Sequence, residues 1–482
     1  MSKRINRRTK IVATVGPASS DAEVVDQLVE AGVDVFRLNF SHGSIAAHAA
    51  VAARVRRQAT ARGRHVGILA DLQGPKIRIG AFRDGSVELA PGNRFRLDHG
   101  LPADGGDRRA VGFSYLPMLE SLRPGGTLLL DDGRIRLRID DVEAAALDCT
   151  VTVGGVLGSR KGINRLGGGI AAPALTAKDI ADIAGMADIQ PDYVAVSFVS
   201  SLDDIEQARR LLAAHCPEAH IIAKIERAEV VDDQDILDGI LRSSDGIMVA
   251  RGDLGVEVGD AELIGIQKDL IARARRMDRL VITATQMMES MINSRMPTRA
   301  EVFDVANAVL DGTDAVMLSA ETAVGRYPVA VVAAMAEAAL GAERHPVART
   351  SRYRIDRQFS SAQESIAMAS IYAANHFPRV RGIACLTESG TTPLLMSRLS
   401  SGLPIFGLSS RPRTLARLSL CRGVVPLYFD ASVFEPGTTE ARTVEFLRDN
   451  DYVEQGDALL LTLGEEIGVP GATNIMRFLE VS

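Results

Sequence analysis

The stretch HIIAKIERAEVVDDQDILDGILRSSDGIMVARGDLG, residues 220–255, decides the fold. It opens with a β-branched run at 220–226 and reaches a second, GIMVAR (246–251), one βα unit later. Apolar runs of this length, spaced by helix-length segments, predict parallel strands joined by crossover helices. The same rhythm extends in both directions. Strand candidates precede it at 9–15, 33–40, 66–72 and 192–199, and follow it at 280–285 and 315–320. Helix candidates lie at 21–31, 45–61, 177–188, 203–214, 262–277, 299–310 and 328–341. Eight strands, with one insertion set aside, is the count of a closed (β/α)₈ TIM barrel. An open doubly wound sheet is the alternative, but no G-x-G-x-x-G follows the first strand.

The insertion, 75–172, is rich in Gly, Asp and Arg, with short runs such as RFRLD, TLLLDDG and CTVTVGG. Its turn signals predict a small β domain, placed to act as a lid on the loop after strand three. From about residue 350 the rhythm restarts, with helices at 363–376, 392–400, 412–419 and 439–449. Strands are expected at 381–386, 405–409, 424–429, 457–463 and 476–481. This reads as a separate α/β open-sheet domain behind a polar linker, VARTSRYRIDRQFS (347–360). The expected division is therefore 1–74 with 173–346, 75–172, and 347–482.

The chain has 482 residues, 46% hydrophobic and 24% charged, and a net charge of −6, so a general nucleic-acid binder is disfavoured. No apolar run reaches transmembrane length and no signal-peptide core follows the basic start KRINRRTK. Four dispersed cysteines without a C-x-x-C pair fit reduced, buried thiols of a cytoplasmic protein.

Active sites of such barrels lie at the carboxyl ends of the strands. Read there, the chain offers Arg37, Asn39, Ser41 and His42 after strand two, Asp71 after strand three and Ser197 after strand four. Lys224 and Glu226 follow on strand five, Arg251, Gly252 and Asp253 on six, Thr285 and Gln286 on seven, and Ser319 and Glu321 on eight. Glu226 and Asp253 emerge on neighbouring strands. Two bare carboxylates repel, so either a hard divalent cation joins them or each pairs with an adjacent arginine, Arg227 or Arg251. Lys224 projects to the same side as Glu226. It suits charge stabilisation of a phosphoryl group in transfer, or a Schiff-base nucleophile as in barrel aldolases. TESGTT (387–392) is either a phosphate cradle opening a helix or an ordinary N-cap loop.

Together these stretches resemble the pyruvate kinase family over almost the whole chain. The matching motifs are TKIVATVGPAS (9–19), RLNFSHG (37–43), DLQGPKIR (71–78), KIER (224–227), MVARGDLGVE (248–257), ITATQMMESMI (282–292), 297–322 and TESGTT. The resemblance implies that the inserted lid is a β-barrel, and that the protein is a homotetramer that transfers the phosphoryl group of phosphoenolpyruvate to ADP, giving pyruvate and ATP. It implies Glu226 and Asp253 as ligands of Mg²⁺ or Mn²⁺, with Lys224 and Arg37 facing the phosphoryl group. Gly252, Asp253 and Thr285 would hold the substrate carboxylate, and Thr285 or Ser319, through water, would protonate the enolate. Asn39, His42, Arg78 and Lys178 would face the nucleotide side.

Two departures from the family pattern carry expectations of their own. Asp71-Leu72-Gln73-Gly74-Pro75-Lys76 places a lysine where the commonest family version has a glutamate that shapes a potassium site. Lys76, in a cavity with Asn39, Ser41 and Asp71, is expected to replace the ion, so K⁺ is not required. Val324 stands where a lysine near the nucleotide is frequent. In the last domain the late loop GEEIGVPGATN (464–474) is acidic and lacks Trp. A sugar or nucleotide monophosphate is therefore expected at Thr387, Ser389, Gly390, Thr391 and Thr392, rather than fructose 1,6-bisphosphate.

Overall fold

The computed structural model describes residues 7–170, 172–349, 358–435, 437–465 and 468–482. Most of the expected linker, 350–357, and residues 466 and 467 of the late loop lie outside the described residues. Eight parallel strands close into a barrel in chain order: Lys10–Val15, Val35–Asn39, Gly67–Asp71, Tyr193–Val196, His220–Ile225, Gly246–Ala250, Leu280–Ala284 and Ala315–Leu318. Closure is made by pairing the eighth strand with the first, Ala315 beside Lys10.

The alternation of each strand explains where the polar residues land. Ile221, Ala223 and Ile225 pack outward among the helices, whereas Ile222 belongs to the interior layer with Val12, Val35, Leu69, Ala195, Met248, Ile282 and Met317. Side chains two residues on share a face. Thr14, Arg37, Asp71, Ser197, Lys224 and Ser319 are therefore the next layer up, directly above the apolar plug. Seven of the eight strands end one to three residues earlier than the sequence predicts; Ser197 and Ser319 lie just beyond their strands, whereas Thr14, Arg37, Asp71 and Lys224 remain in the ladder.

Two helical features differ from the sequence reading. Ala228–Asp232 and Gln234–Ser243 fill the βα unit of the opening stretch, the second capped by Asp233, whose side chain accepts from the Asp235 and Ile236 N–H groups. Arg251–Val258, for which the sequence reading gave no helix, is a helix that buries Leu254 and seats Gly255 against Leu263, where an added Cβ would lie 3.1 Å from Leu263 Cδ2.

Between the third and fourth barrel strands, a six-stranded sheet and a two-stranded ribbon (Ser86–Leu89 with Gly155–Gly158) surround one core that includes Phe95, Leu97, Leu128, Leu137 and Leu147. Beyond the barrel, a five-stranded sheet runs in the order Val424–Tyr428, Ile405–Ser409, Val380–Leu386, Ala458–Gly464, Thr473–Glu480, the last pair antiparallel. The molecule is thus an α/β TIM barrel carrying an inserted β domain and a C-terminal α/β domain. It joins the barrel floor through Arg398, which is fully buried against Asp314. Among the described residues no helix is long and apolar enough to cross a membrane.

Candidate active site at the barrel rim

Lys224 lies at the centre of the rim. Its ammonium donates to Ser197 Oγ at 2.7 Å and sits 2.9 Å from Glu226 Oε1 and 3.5 Å from Asp71 Oδ1. Asp71 Oδ2 in turn takes the Arg37 Nε–H at 2.5 Å, and Arg37 Nη1 donates to Thr14 Oγ1 at 2.9 Å. Three strands are thereby joined by alternating charge, with the Thr14 and Ser197 hydroxyls at its flanks. Burial works against charged Lys224, but Asp71 and Glu226 outweigh it and raise its pKa, keeping it an ammonium. Burial likewise opposes the Asp71 carboxylate, yet Arg37 and Lys224 hold it below the usual range. For Glu226 burial prevails over Lys224 and, with repulsion from Asp253, pushes its carboxyl up. Of the two buried carboxylates, Glu226 is the one left short of compensating charge.

That shortage is the test of whether the residues fit a metal. Glu226 Oε1 and Asp71 Oδ1 are buried without a well-formed hydrogen bond, while Glu226 Oε2 accepts the Phe198 N–H at 2.7 Å. Among the described residues no three metal-ligating side chains cluster. Two carboxylates with open positions fit a hard dication that completes its shell with substrate and water oxygens. The donor set at Glu226 and Asp253 therefore fits Mg²⁺ or Mn²⁺.

The substrate side is held in strained backbone. Phe198, Thr285 and Gln286 have φ of 53°, 67° and 55°, angles that cost a non-glycine residue about 1–3 kcal/mol and persist where the surroundings impose them. Arg251 imposes the Thr285 conformation: it donates to the Thr285 carbonyl at 2.7 Å and is anchored by Asp304 at 2.7 Å. Nothing in the sequence signals Phe198. Thr285 Oγ1 accepts the Gly252 N–H at 2.7 Å and donates to the Ala284 carbonyl at 2.6 Å. The Gly252 N–H is thus occupied here, a refinement of the expectation that it faces a carboxylate openly. Ser319 adopts φ −108°, ψ −98°, and its buried hydroxyl has no hydrogen-bond partner.

The barrel-domain model of pyruvate kinase matches residues 6–332 and the pyruvate kinase alpha/beta-domain model matches residues 364–479. The chain belongs to the pyruvate kinase family. It is 52% identical to pyruvate kinase II of Salmonella typhimurium and 51% identical to a pyruvate kinase of Haemophilus influenzae, in each case over all of both chains. A crystal structure of a pyruvate kinase from Cryptosporidium parvum superposes with a TM-score of 0.90 at 31% identity, covering 99% of this chain and 97% of that one. The chain is accordingly a phosphotransferase, and its family acts on phosphoenolpyruvate and ADP with Mg²⁺.

Not every residue expected at the site of this pyruvate kinase gathers around Lys224. The Lys76 ammonium lies 3.5 Å from Asp253 Oδ1. The Asp71 carboxylate is engaged by Arg37 and Lys224. Asn39 Oδ1 instead caps the following turn by accepting the Ser41 N–H at 3.1 Å. Lys178 reaches the same loop through the Phe40 carbonyl at 2.7 Å and pairs with Asp182 at 2.6 Å. The His42 carbonyl accepts from His48 Nε2 at 2.8 Å. Arg78 lies across the mouth on the inserted domain, donating to the Arg160 carbonyl at 3.0 Å. Val324 is exposed.

A second pocket of this pyruvate kinase, about 110 Å³, opens beyond the carboxyl ends of the C-terminal sheet. Thr387, Ser389 and Thr392 line it. Gly390 and Thr391 shape the turn instead: Gly390 donates to Thr387 Oγ1 at 2.9 Å, and Thr391 Oγ1 meets Ser389 Oγ at 2.9 Å. Thr392 is fully buried, its hydroxyl engaged by Gln363 at 2.7 Å and Thr473 at 2.9 Å. Ser409, Ser410, Ser432 and Gln363 also line the pocket and were not anticipated. Ser409 ends the strand Ile405–Ser409 and Ser410 follows it, a position the strand-end rule applied to the barrel would have flagged.

Proposed function

We propose that the rim cluster transfers the phosphoryl group of phosphoenolpyruvate to ADP with Lys224 as its fixed cation. The observation that carries this reading is the buried Lys224 ammonium held between Asp71, Glu226 and Ser197. An ammonium so placed cannot readily lose the proton a Schiff base requires, which weighs against the aldolase alternative. In a low-dielectric rim it stabilises negative charge without reorganising. Arg37, one strand away, faces the same oxygens. Glu226 and Asp253 would hold Mg²⁺ or Mn²⁺, which when bound supplies positive charge opposite the substrate oxygens. Thr285 turns its hydroxyl from Gly252 to the substrate carboxylate, freeing the Gly252 and Asp253 N–H groups at the helix start. The unpartnered Ser319 hydroxyl, with Thr285, orders the water that protonates the enolate. Asn39, His42, Arg78 and Lys178 receive the nucleotide phosphates, and closure of the inserted domain 75–172 excludes water from the transfer.

In this reading K⁺ is not required, because Lys76 supplies a monovalent charge at Asp253. The domain 347–482 binds a sugar or nucleotide monophosphate at Thr387, Ser389 and their turn, as its lining holds no Lys or Arg for a second phosphate. The protein works as a cytoplasmic homotetramer. A lactate-dehydrogenase-coupled assay with phosphoenolpyruvate and ADP, with and without each sugar phosphate, tests the scheme. Turnover without phosphoenolpyruvate dependence, or stronger activation by fructose 1,6-bisphosphate than by ribose 5-phosphate or glucose 6-phosphate, would contradict it.

A further inference from the structure

The strand that returns from the inserted domain, Ile163–Arg165, re-enters the barrel through Leu166-Gly167-Gly168-Gly169. The three glycines have φ of 81°, 69° and 83°, a succession that other residues hold only under strain. Two carboxylates close on this hinge. A side chain at Gly168 would overlap Glu229 Oε2 and lie 2.9 Å from Glu257 Oε2. Gly169 donates to Glu229 Oε2 at 3.0 Å and Gly167 to the Glu257 carbonyl at 3.0 Å. Arg227 spans the Ile170 and Ala172 carbonyls and Glu229 Oε1, at 3.1, 3.2 and 3.2 Å. Glu257 is itself buried, takes the Ala228 N–H at 2.9 Å and faces Asn164 on the returning strand.

Glu257 stands on the helix Arg251–Val258, one turn after Asp253 and on the same face. A single short helix therefore carries a metal-site carboxylate at one end and a clasp on the lid hinge at the other. We propose that Glu257 is a positioning residue that fastens the lid's return hinge to the Asp253 helix, so that lid position and metal-ligand position change together. This rests on Asp253 as a metal ligand.

The charges facing Glu257 give the clasp a pH dependence. Burial, reinforced by Glu229, pushes its carboxyl up to about 7, against the opposing Ala228 N–H, Arg227 and Asn164. Arg165, on the hinge, donates to the Ser121 carbonyl instead. A packed hinge binds this proton more tightly than an opened, hydrated one. The clasp therefore holds best below pH 7 and loosens as the pH rises through it.

The test uses the full-length enzyme, measuring hydrogen exchange of segment 163–170, corrected for intrinsic rates, and Mn²⁺ binding to the metal-free protein by electron paramagnetic resonance. Glu257→Ala should speed exchange of the hinge at least tenfold, weaken Mn²⁺ binding at least fivefold, and raise the phosphoenolpyruvate KM more than it lowers kcat. Glu257→Gln keeps the acceptor for Ala228 and cannot titrate. It should bind Mn²⁺ within twofold of wild type while losing the wild-type rise in exchange between pH 6 and 8. If Glu257→Ala does not fold, the Gln variant decides alone. Wild-type pH dependence in Glu257→Gln, or wild-type exchange and Mn²⁺ affinity in folded Glu257→Ala, overturns the link. Unchanged Mn²⁺ affinity in Asp253→Asn instead overturns the metal assignment, and the link with it.

Discussion

The barrel rim and the C-terminal pocket both open beyond the carboxyl ends of parallel strands, yet they are made of opposite materials. At the rim, Arg37, Asp71, Lys224 and Glu226 form a chain of buried charges in which each partner fixes the next. In the pocket hydroxyls and an amide mix with apolar Leu386, Leu408, Phe429, Leu463 and Val469; among the described residues its only charges are Glu388 and Asp430, and Arg411 is drawn off to Glu388 at 2.6 Å. Buried charges that are over-determined by neighbours cost folding energy and are justified by charge that develops during reaction. Neutral donors recognise a ligand at little cost and release it readily. In the proposed reading, the difference separates a site for chemistry from a site for reversible binding.

The largest effect expected is at the rim. Lys224→Met should lower kcat roughly 10³-fold, the order lost when a preorganised transition-state donor is removed, while Mn²⁺ still binds. A loss of only a few fold would show that the buried ammonium is structural. Next comes the joint between the two regions. Arg398 ends the helix Thr391–Ser397 that starts at the pocket, and both it and Asp314 are about 1% exposed. Arg398→Met leaves Asp314 uncompensated and should cost about 3–5 kcal/mol in urea unfolding. A change below about 1 kcal/mol would mean that the other contacts between the domains, such as Tyr193 Oη to the Arg417 carbonyl and Lys10 Nζ to the Val424 carbonyl, carry the joint. Lys76→Glu should create a KCl stimulation of about tenfold, equivalent to about 1.4 kcal/mol of lost electrostatic support. The smallest effect belongs to the pocket: Thr387→Ala with Ser389→Ala should abolish activation by a sugar monophosphate while changing unactivated kcat/KM less than about twofold. Activation that survives both changes would place the ligand elsewhere.

What the sequence made legible follows the same division. The eight barrel strands could be read because each is a short, fully buried aliphatic run, and period two then carried Lys224, Asp71 and Arg37 to one face. The Arg251–Val258 helix was missed because Gly252 and Gly255 are poor helix formers. The ion pair of Lys76 with Asp253 joins residues 177 positions apart and leaves no local trace in the sequence. The strain at Phe198 and Thr285 is a property of tertiary closure and leaves no trace in residue type. Thr392 looked like a free hydroxyl, but Gln363, on a helix that starts near residue 362, and Thr473 on the last strand consume it.

That the rim carries its own monovalent positive charge is tested most directly by the initial rate with phosphoenolpyruvate, ADP and Mg²⁺ in buffer free of K⁺ and NH₄⁺, before and after adding KCl at constant ionic strength. With Lys76 in place, the rate should already be maximal and stay within about twofold on adding KCl. A many-fold rise would contradict it.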